Sequence, residues 1–292
     1  MEKRFTFARL LEEYPTEAAC FEKITNLRFP DGIFCKNCQR ITLHYALKKR
    51  KAYLCDLCLH QVYPLKGTIF EKSVTPLRYW FYAIFVISKT RAGVSAKTLE
   101  RELGVTYKTA WRMFKQIRTL MAEDSGELLT GIVEVDETFV GGRYRHKKNT
   151  YGNWEMAKPK EVLMGMVVRG GPVRIKHIPN TGKFTMLKEI QDNISTDATI
   201  YTDDFPSYRN LHQYGYVHES VNHSKREYVK GDVYTQNIEN VWSHLKRGIR
   251  GVYRVVSSKY LITYANEFAF RYNHRHEPEK MFEILLSKSV LN

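Results

Sequence analysis

The sequence predicts a multidomain α/β protein, with a small cysteine-rich module and a helical region ahead of a mixed α/β domain. Its 292 residues are enough for two or three modules, since a domain usually holds about 100–200 residues. Two Cys-x-x-Cys steps lie near the N-terminus, and beyond Gly131 strand-like runs come first and then alternate with helical patterns, as in α/β domains. The predicted segments are a helical lead-in (1–30), a cysteine-rich domain (31–70), a helical region (75–122), an α/β domain (130–276) and a C-terminal tail (277–292).

The overall charge indicates a polyanionic partner. Forty-six Lys and Arg residues against thirty-one Asp and Glu give a formal net charge of +15. Phosphate backbones are the commonest polyanionic surface, so nucleic acid is the first expectation and an anionic membrane the second. The longest apolar stretch, Trp80–Ile87, is far shorter than the roughly 18 residues of a spanning helix, and the N-terminus lacks a signal-peptide pattern. We therefore expect an intracellular protein that does not enter the membrane.

The two cysteine pairs predict a structural zinc site. Sixteen residues separate the first Cys-x-x-Cys step from the second, which is a spacing typical of a two-knuckle zinc ribbon. Four thiolates would complete a tetrahedral site and leave no open position for catalysis. Unrelated buried thiols or a redox pair are the alternatives, and His44 and His60 are possible substitute ligands. The predicted zinc ligands are Cys35, Cys38, Cys55 and Cys58.

The helical region contains the pattern of a helix-turn-helix. Ser95–Leu103 is amphipathic, Gly104-Val105 supplies a turn, and Thr106 can cap a second helix from Tyr107 to about Met121. In a helix-turn-helix the second helix enters the major groove of DNA. A solvated charged face on an ordinary helix is the alternative reading of its basic stripe. The predicted DNA-contacting residues on this helix are Lys108, Arg112 and Lys115.

Three acidic residues in the α/β domain are candidate metal ligands. Asp136 and Asp203 each end a strand-like run, so their side chains can lie side by side if the strands are neighbours. Glu239 opens a helical pattern that can cross the sheet and deliver a third carboxylate. Carboxylates suit Mg²⁺ or Mn²⁺, and two such ions can activate a nucleophile and stabilise a leaving oxygen in phosphodiester cleavage.

Each of the three acids has an ordinary structural alternative. They could be a turn residue, a strand-end cap and a surface acid, and their joint placement in a very basic chain favours the metal site. Glu134, Glu137 and Asp204 are alternative candidates for the same role, and Asp204 is the hardest to exclude.

Six ordered motifs resemble those of a known family. They are the cysteine pairs, followed by Val135–Gly142, Tyr201–Asp204, Val221–Ser224, Thr235–Trp242 and Phe268–Asn273. Together they resemble bacterial insertion-sequence transposases with an N-terminal zinc ribbon and a DDE-type catalytic domain, which are similar to eukaryotic Merlin elements. The resemblance covers nearly the whole chain.

The resemblance implies an RNase H-like catalytic domain in which Asp136, Asp203 and Glu239 bind the metal and Lys246 is the basic residue that follows the third acid. It implies cut-and-paste movement of the element, in which the ends are cleaved and the freed 3′-hydroxyls attack target DNA. The implied partner is double-stranded DNA, bound by a homo-oligomer that holds both ends. The implied location is the bacterial cytoplasm, at the nucleoid.

Two further basic patches flank the candidate acids. One follows the first catalytic strand and the other follows Glu239, so both can contact DNA phosphates. A solvated loop is the alternative for the first patch. The candidate residues are Arg143, Arg145, Lys147 and Lys148 in the first patch and Arg247 and Arg250 in the second.

Two other functions stay open at this point. The chain could be a zinc-ribbon and helix-turn-helix regulator whose catalytic domain has become a scaffold, or a nuclease of the same fold that cuts without strand transfer. An intact acidic triad favours the transposase.

Overall fold

A computed structural model describes residues 5–47, 50–123, 126–141, 150–152, 160–221, 229 and 231–291, and the backbone alone of 147–148 and 154–155. The chain forms two compact units. The first contains Met1–Met121 and His276–Asn292, and the second contains Ala122–Arg275.

The first unit begins with two short helices and a small set of strands. Each helix is capped by a threonine, Thr6 or Thr16, whose hydroxyl accepts a backbone N–H three residues later. The strands form one two-stranded and one three-stranded antiparallel sheet around the cysteines. The elements are α1 (Phe7–Glu13), α2 (Glu17–Arg28), β1 (Phe34–Cys35), β2 (Arg40–Ile41), β3 (His44–Ala46), β4 (Tyr53–Cys55) and β5 (Gln61–Val62).

A helical bundle completes this unit. Residues 277–292, expected as a C-terminal tail, instead contain the helix Met281–Lys288, which packs against the bundle because its apolar face needs burial. Phe282 of this helix is fully buried and lies 6.2 Å, centroid to centroid, from the ring of Phe81. The other helices are α3 (Leu77–Lys89), α4 (Ala96–Leu103) and α5 (Tyr107–Leu120).

The predicted helix-turn-helix layout is present in α4 and α5. The hydroxyl of Ser95 accepts from the backbone N–H of Thr98 at 3.1 Å, and that of Thr106 accepts from Thr109 at 3.3 Å. Gly104 ends α4 in the left-handed conformation at φ +63°, which glycine adopts without steric cost. The two helices therefore begin and end where their capping residues predict.

The second unit is built on a five-stranded mixed sheet. Its strand order is β10-β9-β6-β11-β12, in which the first three strands are antiparallel and β11 runs parallel to both of its neighbours. This is the mixed α/β sheet that was expected of an RNase H-like domain. The strands are β6 (Ile132–Val140), β9 (Glu161–Val168), β10 (Val173–Ile178), β11 (Thr199–Asp203) and β12 (Val217–Val221), with a separate short pair β7 (Lys147–Lys148) and β8 (Trp154–Glu155).

Helices cover both faces of this sheet. One core cluster includes Val135, Met164 and side chains of α6 (Lys183–Asn193), and it also buries Tyr208 from the 3₁₀ turn Pro206–Tyr208. A second cluster on the opposite face joins Leu163 and Val167 to α7 (Gln236–Gly248) and α8 (Ser258–Asn273). Connecting 3₁₀ and π segments occupy Leu211–Tyr214 and Ile249–Tyr253. In the described ranges, no helix is long and apolar enough to cross a membrane.

The close packing of α7 on the sheet depends on one glycine. Gly165 lies on β9 opposite Asp136, and a Cβ atom there would lie 2.5 Å from Cδ1 of Ile238 and 2.6 Å from Cζ2 of Trp242. Both of these atoms belong to α7 side chains that are almost completely buried. A residue with any side chain at this position must therefore push α7 away from the sheet.

Replacing Gly165 with Ala should lower the free energy of unfolding by roughly 1–3 kcal/mol, because it overpacks this contact. The matched control is Gly251→Ala, since a Cβ atom at Gly251 has nothing within 4 Å. Urea unfolding of both variants checks the difference. Equal stability of the two variants would show that α7 does not depend on close approach at Gly165.

Candidate functional site

Two predicted site residues, Asp136 and Asp203, lie on neighbouring parallel strands. The register pairs Tyr201 of β11 with Glu134 of β6, and each aspartate lies two residues further along its own strand. Residues two apart on a strand point to the same face of the sheet, so the aspartates lie side by side. Asp203 ends β11 as predicted, but the prediction that Asp136 ends its strand is wrong, because β6 stays paired with β9 as far as Val140. The carboxylate of Asp203 also accepts the backbone N–H of Phe205 at 3.1 Å, which holds the turn after β11.

The carboxylate of Asp136 lies in an environment that disfavours its charge. Burial, together with the neighbouring carboxylates of Glu137 and Asp203, raises its pKa from 3.8 to about 7. The indole N–H of Trp242 partly offsets this effect, because it donates to Oδ2 of Asp136 at 2.9 Å. Clustered acids whose charges repel one another are the arrangement that a bound cation would stabilise.

Glu137, an alternative metal ligand from the sequence, has a different partner. Its Oε2 accepts the hydroxyl hydrogen of Tyr208 at 2.7 Å, and burial is the main cause of its raised pKa. Tyr208 is itself almost completely buried and belongs to the turn that follows Asp203. The hydrogen bond therefore links β6 to the turn after β11, beside the two aspartates.

The third predicted acid, Glu239, lies in the first turn of α7 and is exposed. Trp242 follows it by three residues on the same side of the helix and reaches Asp136. The same helix that carries Glu239 therefore contacts one of the two aspartates. Among the side chains that the structure describes, only the four cysteines form a group of three or more whose potential ligand atoms already lie together.

Glu134, a further alternative ligand, instead connects the sheet to α7. Its side chain is fully buried, and Nε of Arg169 donates to it at 3.0 Å. Its Oε2 accepts the backbone N–H groups of Asn237 at 2.9 Å and Ile238 at 3.3 Å, and its Oε1 accepts the amide N–H of Asn237 at 2.8 Å. Arg169 also donates to the carbonyl oxygens of Asp232 and Tyr234, just before α7.

Sequence reasoning missed the roles of three of these residues. Trp242 was named only as the last residue of a family motif, and Arg169 was not singled out. Glu134 was considered only as a possible ligand. A charged residue in the apolar run 132–135 was the available signal, because a charge at a buried position needs a partner.

The four cysteines come together as predicted. The Sγ atoms of Cys35 and Cys58 are 3.4 Å apart, those of Cys38 and Cys55 are 3.8 Å apart, and all four lie within 4.8 Å of one another. Tetrahedral thiolates at about 2.3 Å from zinc would lie roughly 3.8 Å apart, so the group can hold a zinc ion.

The two cysteine knuckles share one backbone conformation. Gln39 directly follows Cys38 at φ +54°, and Leu59 directly follows Cys58 at φ +60°. Non-glycine residues rarely adopt this left-handed conformation, which costs about 1–2 kcal/mol. Its occurrence at equivalent positions indicates that both loops are shaped to aim their thiols at a common centre.

Comparison with known proteins agrees with this pairing of zinc cluster and acidic sheet. Residues 128–273 match the family described as the ISXO2-like transposase domain, and residues 15–61 match the transposase zinc-ribbon domain. The chain belongs to the ISXO2-like transposase family. A protein of transposable element ISH50 from Halobacterium salinarum is 27% identical over 285 residues, 92% of this chain and 95% of the relative. A transposase-like protein from Haemophilus influenzae is 29% identical over 97 residues, 33% of this chain and 77% of the relative.

The basic residues predicted on α5 of this transposase differ in their surroundings. Lys108 and Lys115 are exposed. Arg112 is half-buried, donates to Oγ of Ser73 at 3.0 Å and lies 5.8 Å from the ring centroid of Trp80. Arg112 therefore has a packing role within its own unit, whereas the two lysines face solvent.

The basic residues predicted in the catalytic unit are described only in part. Lys246 is half-buried on α7, two turns after Glu239. Arg250 is exposed, as is Arg247, which donates to Oγ of Ser243 at 3.0 Å. The predicted residues Arg143 and Arg145, and the side chains of Lys147 and Lys148, lie outside the described residues, as does His223 of the family motif.

Replacing Cys38 with Ser should release zinc from the transposase, because three thiolates no longer complete the tetrahedral site. The zinc-to-protein ratio, measured by elemental analysis, is expected to fall from about one to near zero. Cys20→Ala is the matched control, since Cys20 is fully buried in α2 and is not part of the cluster. Retained zinc in Cys38→Ser would contradict the assignment.

Replacing Asp136 with Asn should stabilise the transposase in buffer without magnesium or manganese. Because burial and like charges raise the folded-state pKa of Asp136 to about 7, this group's contribution to stability is lost as pH rises through 7. Asn avoids this loss and still accepts the Trp242 hydrogen bond. The expected gain is on the order of 2 kcal/mol at pH 8 and smaller at pH 5.

Urea unfolding at the two pH values measures this gain, and Asp197→Asn, which removes an exposed acid before β11, is the control. A gain that does not grow between pH 5 and pH 8 would argue against charge repulsion at Asp136.

Proposed function

We propose that this transposase binds the ends of its insertion sequence, cleaves them by metal-dependent phosphodiester hydrolysis and joins the 3′-hydroxyl ends to target DNA. One observation carries the proposal. Asp136 and Asp203 lie side by side on neighbouring strands, and the helix that carries Glu239 is hydrogen-bonded to Asp136 through Trp242.

The acidic residues fit a hard divalent cation. Asp136, Asp203 and Glu239 offer only carboxylate oxygens, which suit Mg²⁺ or Mn²⁺, and burial, with the neighbouring carboxylates of Glu137 and Asp203, raises the pKa of Asp136. A bound divalent ion would supply activation of the attacking oxygen and stabilisation of the leaving oxygen. Lys246 follows Glu239 by seven residues, two turns along the same side of α7, where its ammonium group can contact a phosphate.

Double-stranded DNA is the proposed partner of both units. In the first unit the exposed Lys108 and Lys115 project from the second helix of the helix-turn-helix, where they can contact phosphates or base edges, and the zinc ribbon adds to end recognition. In the second unit we propose phosphate contacts by the exposed Arg247 and Arg250 and, in the basic loop, by Arg143, Arg145, Lys147 and Lys148. We assign Arg112 a supporting role in this surface.

The reaction requires two element ends to be held together, so we propose a homo-oligomer assembled on DNA. Its place of action is the bacterial cytoplasm, at the nucleoid. The proposal needs no covalent protein–DNA intermediate, because water and then a DNA 3′-hydroxyl act as nucleophiles.

Incubation of the purified protein with labelled element ends, target DNA and magnesium tests the proposal. Joined products support a transposase. Cleavage without joining supports a nuclease of the same fold, and binding without cleavage supports a DNA-binding regulator.

Replacing Asp136 or Asp203 with Asn, or Glu239 with Gln, should each lower cleavage by about 10³-fold or more while end binding is retained, because each change removes a proposed metal ligand and leaves the DNA contacts. The matched control is Asp197→Asn, which should cleave like wild type. Gel-shift and cleavage assays on the same preparations measure both properties. If cleavage survives one of these changes, that residue is not a ligand.

A further inference from the structure

The carboxylate of Glu239 is held by a buried hydroxyl. Oγ1 of Thr235 donates to Oε1 of Glu239 at 3.0 Å. Thr235 is 2% exposed, whereas Glu239 is exposed on the first turn of α7. A buried hydroxyl therefore holds one oxygen of this exposed carboxylate.

The backbone at Thr235 differs from that of an ordinary threonine cap. Thr235 occupies the N-cap position of α7, where a threonine hydroxyl usually accepts a backbone N–H from the first turn. Thr106 caps α5 in this way, at φ −68° and ψ 150°. Thr235 lies instead at φ −119° and ψ 22°, and its side chain makes no capping bond.

Glu134 takes over the capping role. Its Oε2 accepts the backbone N–H groups of Asn237 and Ile238, the second and third residues of α7. A buried carboxylate from β6 therefore satisfies the helix N-terminus, where negative charge is also favoured by the helix dipole. The Thr235 hydroxyl accepts no helix N–H and donates its hydrogen to Glu239.

We propose that Thr235 is a positioning residue that orients the Glu239 carboxylate for a divalent metal. This inference rests on the proposed function, in which Glu239 is the third metal ligand. Hydrogen bonds from residues behind a ligand orient it, and their loss typically weakens metal binding by about 10–100-fold. Thr235 itself contacts neither metal nor DNA in this proposal and acts through Glu239.

Direct Mn²⁺ binding tests the proposal independently of activity. The full chain with its zinc retained is titrated with Mn²⁺, and free Mn²⁺ is measured by electron paramagnetic resonance. Thr235→Val should weaken Mn²⁺ binding by about 10-fold. Thr235→Ser, which keeps the hydroxyl, should bind Mn²⁺ like wild type.

A double-mutant comparison separates positioning from general stability. In a Glu239→Gln background, Thr235→Val should cause no further loss of Mn²⁺ binding, because its effect passes through the Glu239 carboxylate. An equal loss in both backgrounds would indicate a merely structural role and would overturn the proposal. If Thr235→Val does not fold, Thr235→Ala takes its place in the same comparison.

The result also distinguishes this inference from the proposed function. If wild-type Mn²⁺ binding is absent or is unaffected by Asp136→Asn, the proposed metal site itself fails. If wild-type binding depends on Asp136 but Thr235→Val binds equally well, only the role of Thr235 is overturned.

Discussion

The catalytic unit depends on a buried carboxylate, that of Glu134, in the middle of its central strand. A fully buried negative charge is costly unless it is paired and hydrogen-bonded. Here the guanidinium of Arg169, the amide of Asn237 and two backbone N–H groups of α7 satisfy it. Because these partners come from separate parts of the chain, the sheet and α7 meet in one orientation that satisfies them all.

This orientation allows an unfavourable cluster to exist nearby. Burial raises the pKa values of Asp136 and Glu137, and repulsion from each other and from Asp203 adds to the cost of their charges. Hydrogen bonds from Trp242 and Tyr208 offset part of that cost. Glu134 has its charge satisfied, whereas Asp136 and Glu137 on the same strand repel each other and Asp203 of the neighbouring strand.

Local patterns in the sequence predicted much of this arrangement. The cysteine spacing predicted the thiol cluster, the capping residues Ser95 and Thr106 predicted the starts of α4 and α5, and Asp136 and Asp203 were expected to lie side by side on neighbouring strands. These features could be predicted because most of them depend on residues that are close together in the chain. The exception is the pairing of the two apolar strands that carry the aspartates.

Features set by distant partners escaped prediction. Glu134 and Asn237 are 103 residues apart, and no sequence pattern around either residue indicates that the other is its partner. Strand β12, with the polar sequence Val-His-Glu-Ser-Val at the sheet edge, lacks the apolar run that identified the other strands. The hydrogen bond from Trp242 to Asp136 could not be predicted either, because the two residues are far apart in the chain and many acceptors could satisfy the indole N–H.

The helix Met281–Lys288 has a consequence for synthesis of the chain. Its buried Phe282 belongs to the first unit, although the whole of Ala122–Arg275 is translated before it. Domains generally fold as units in the order in which they leave the ribosome. The second unit is thus fully synthesised before the first unit can complete its core.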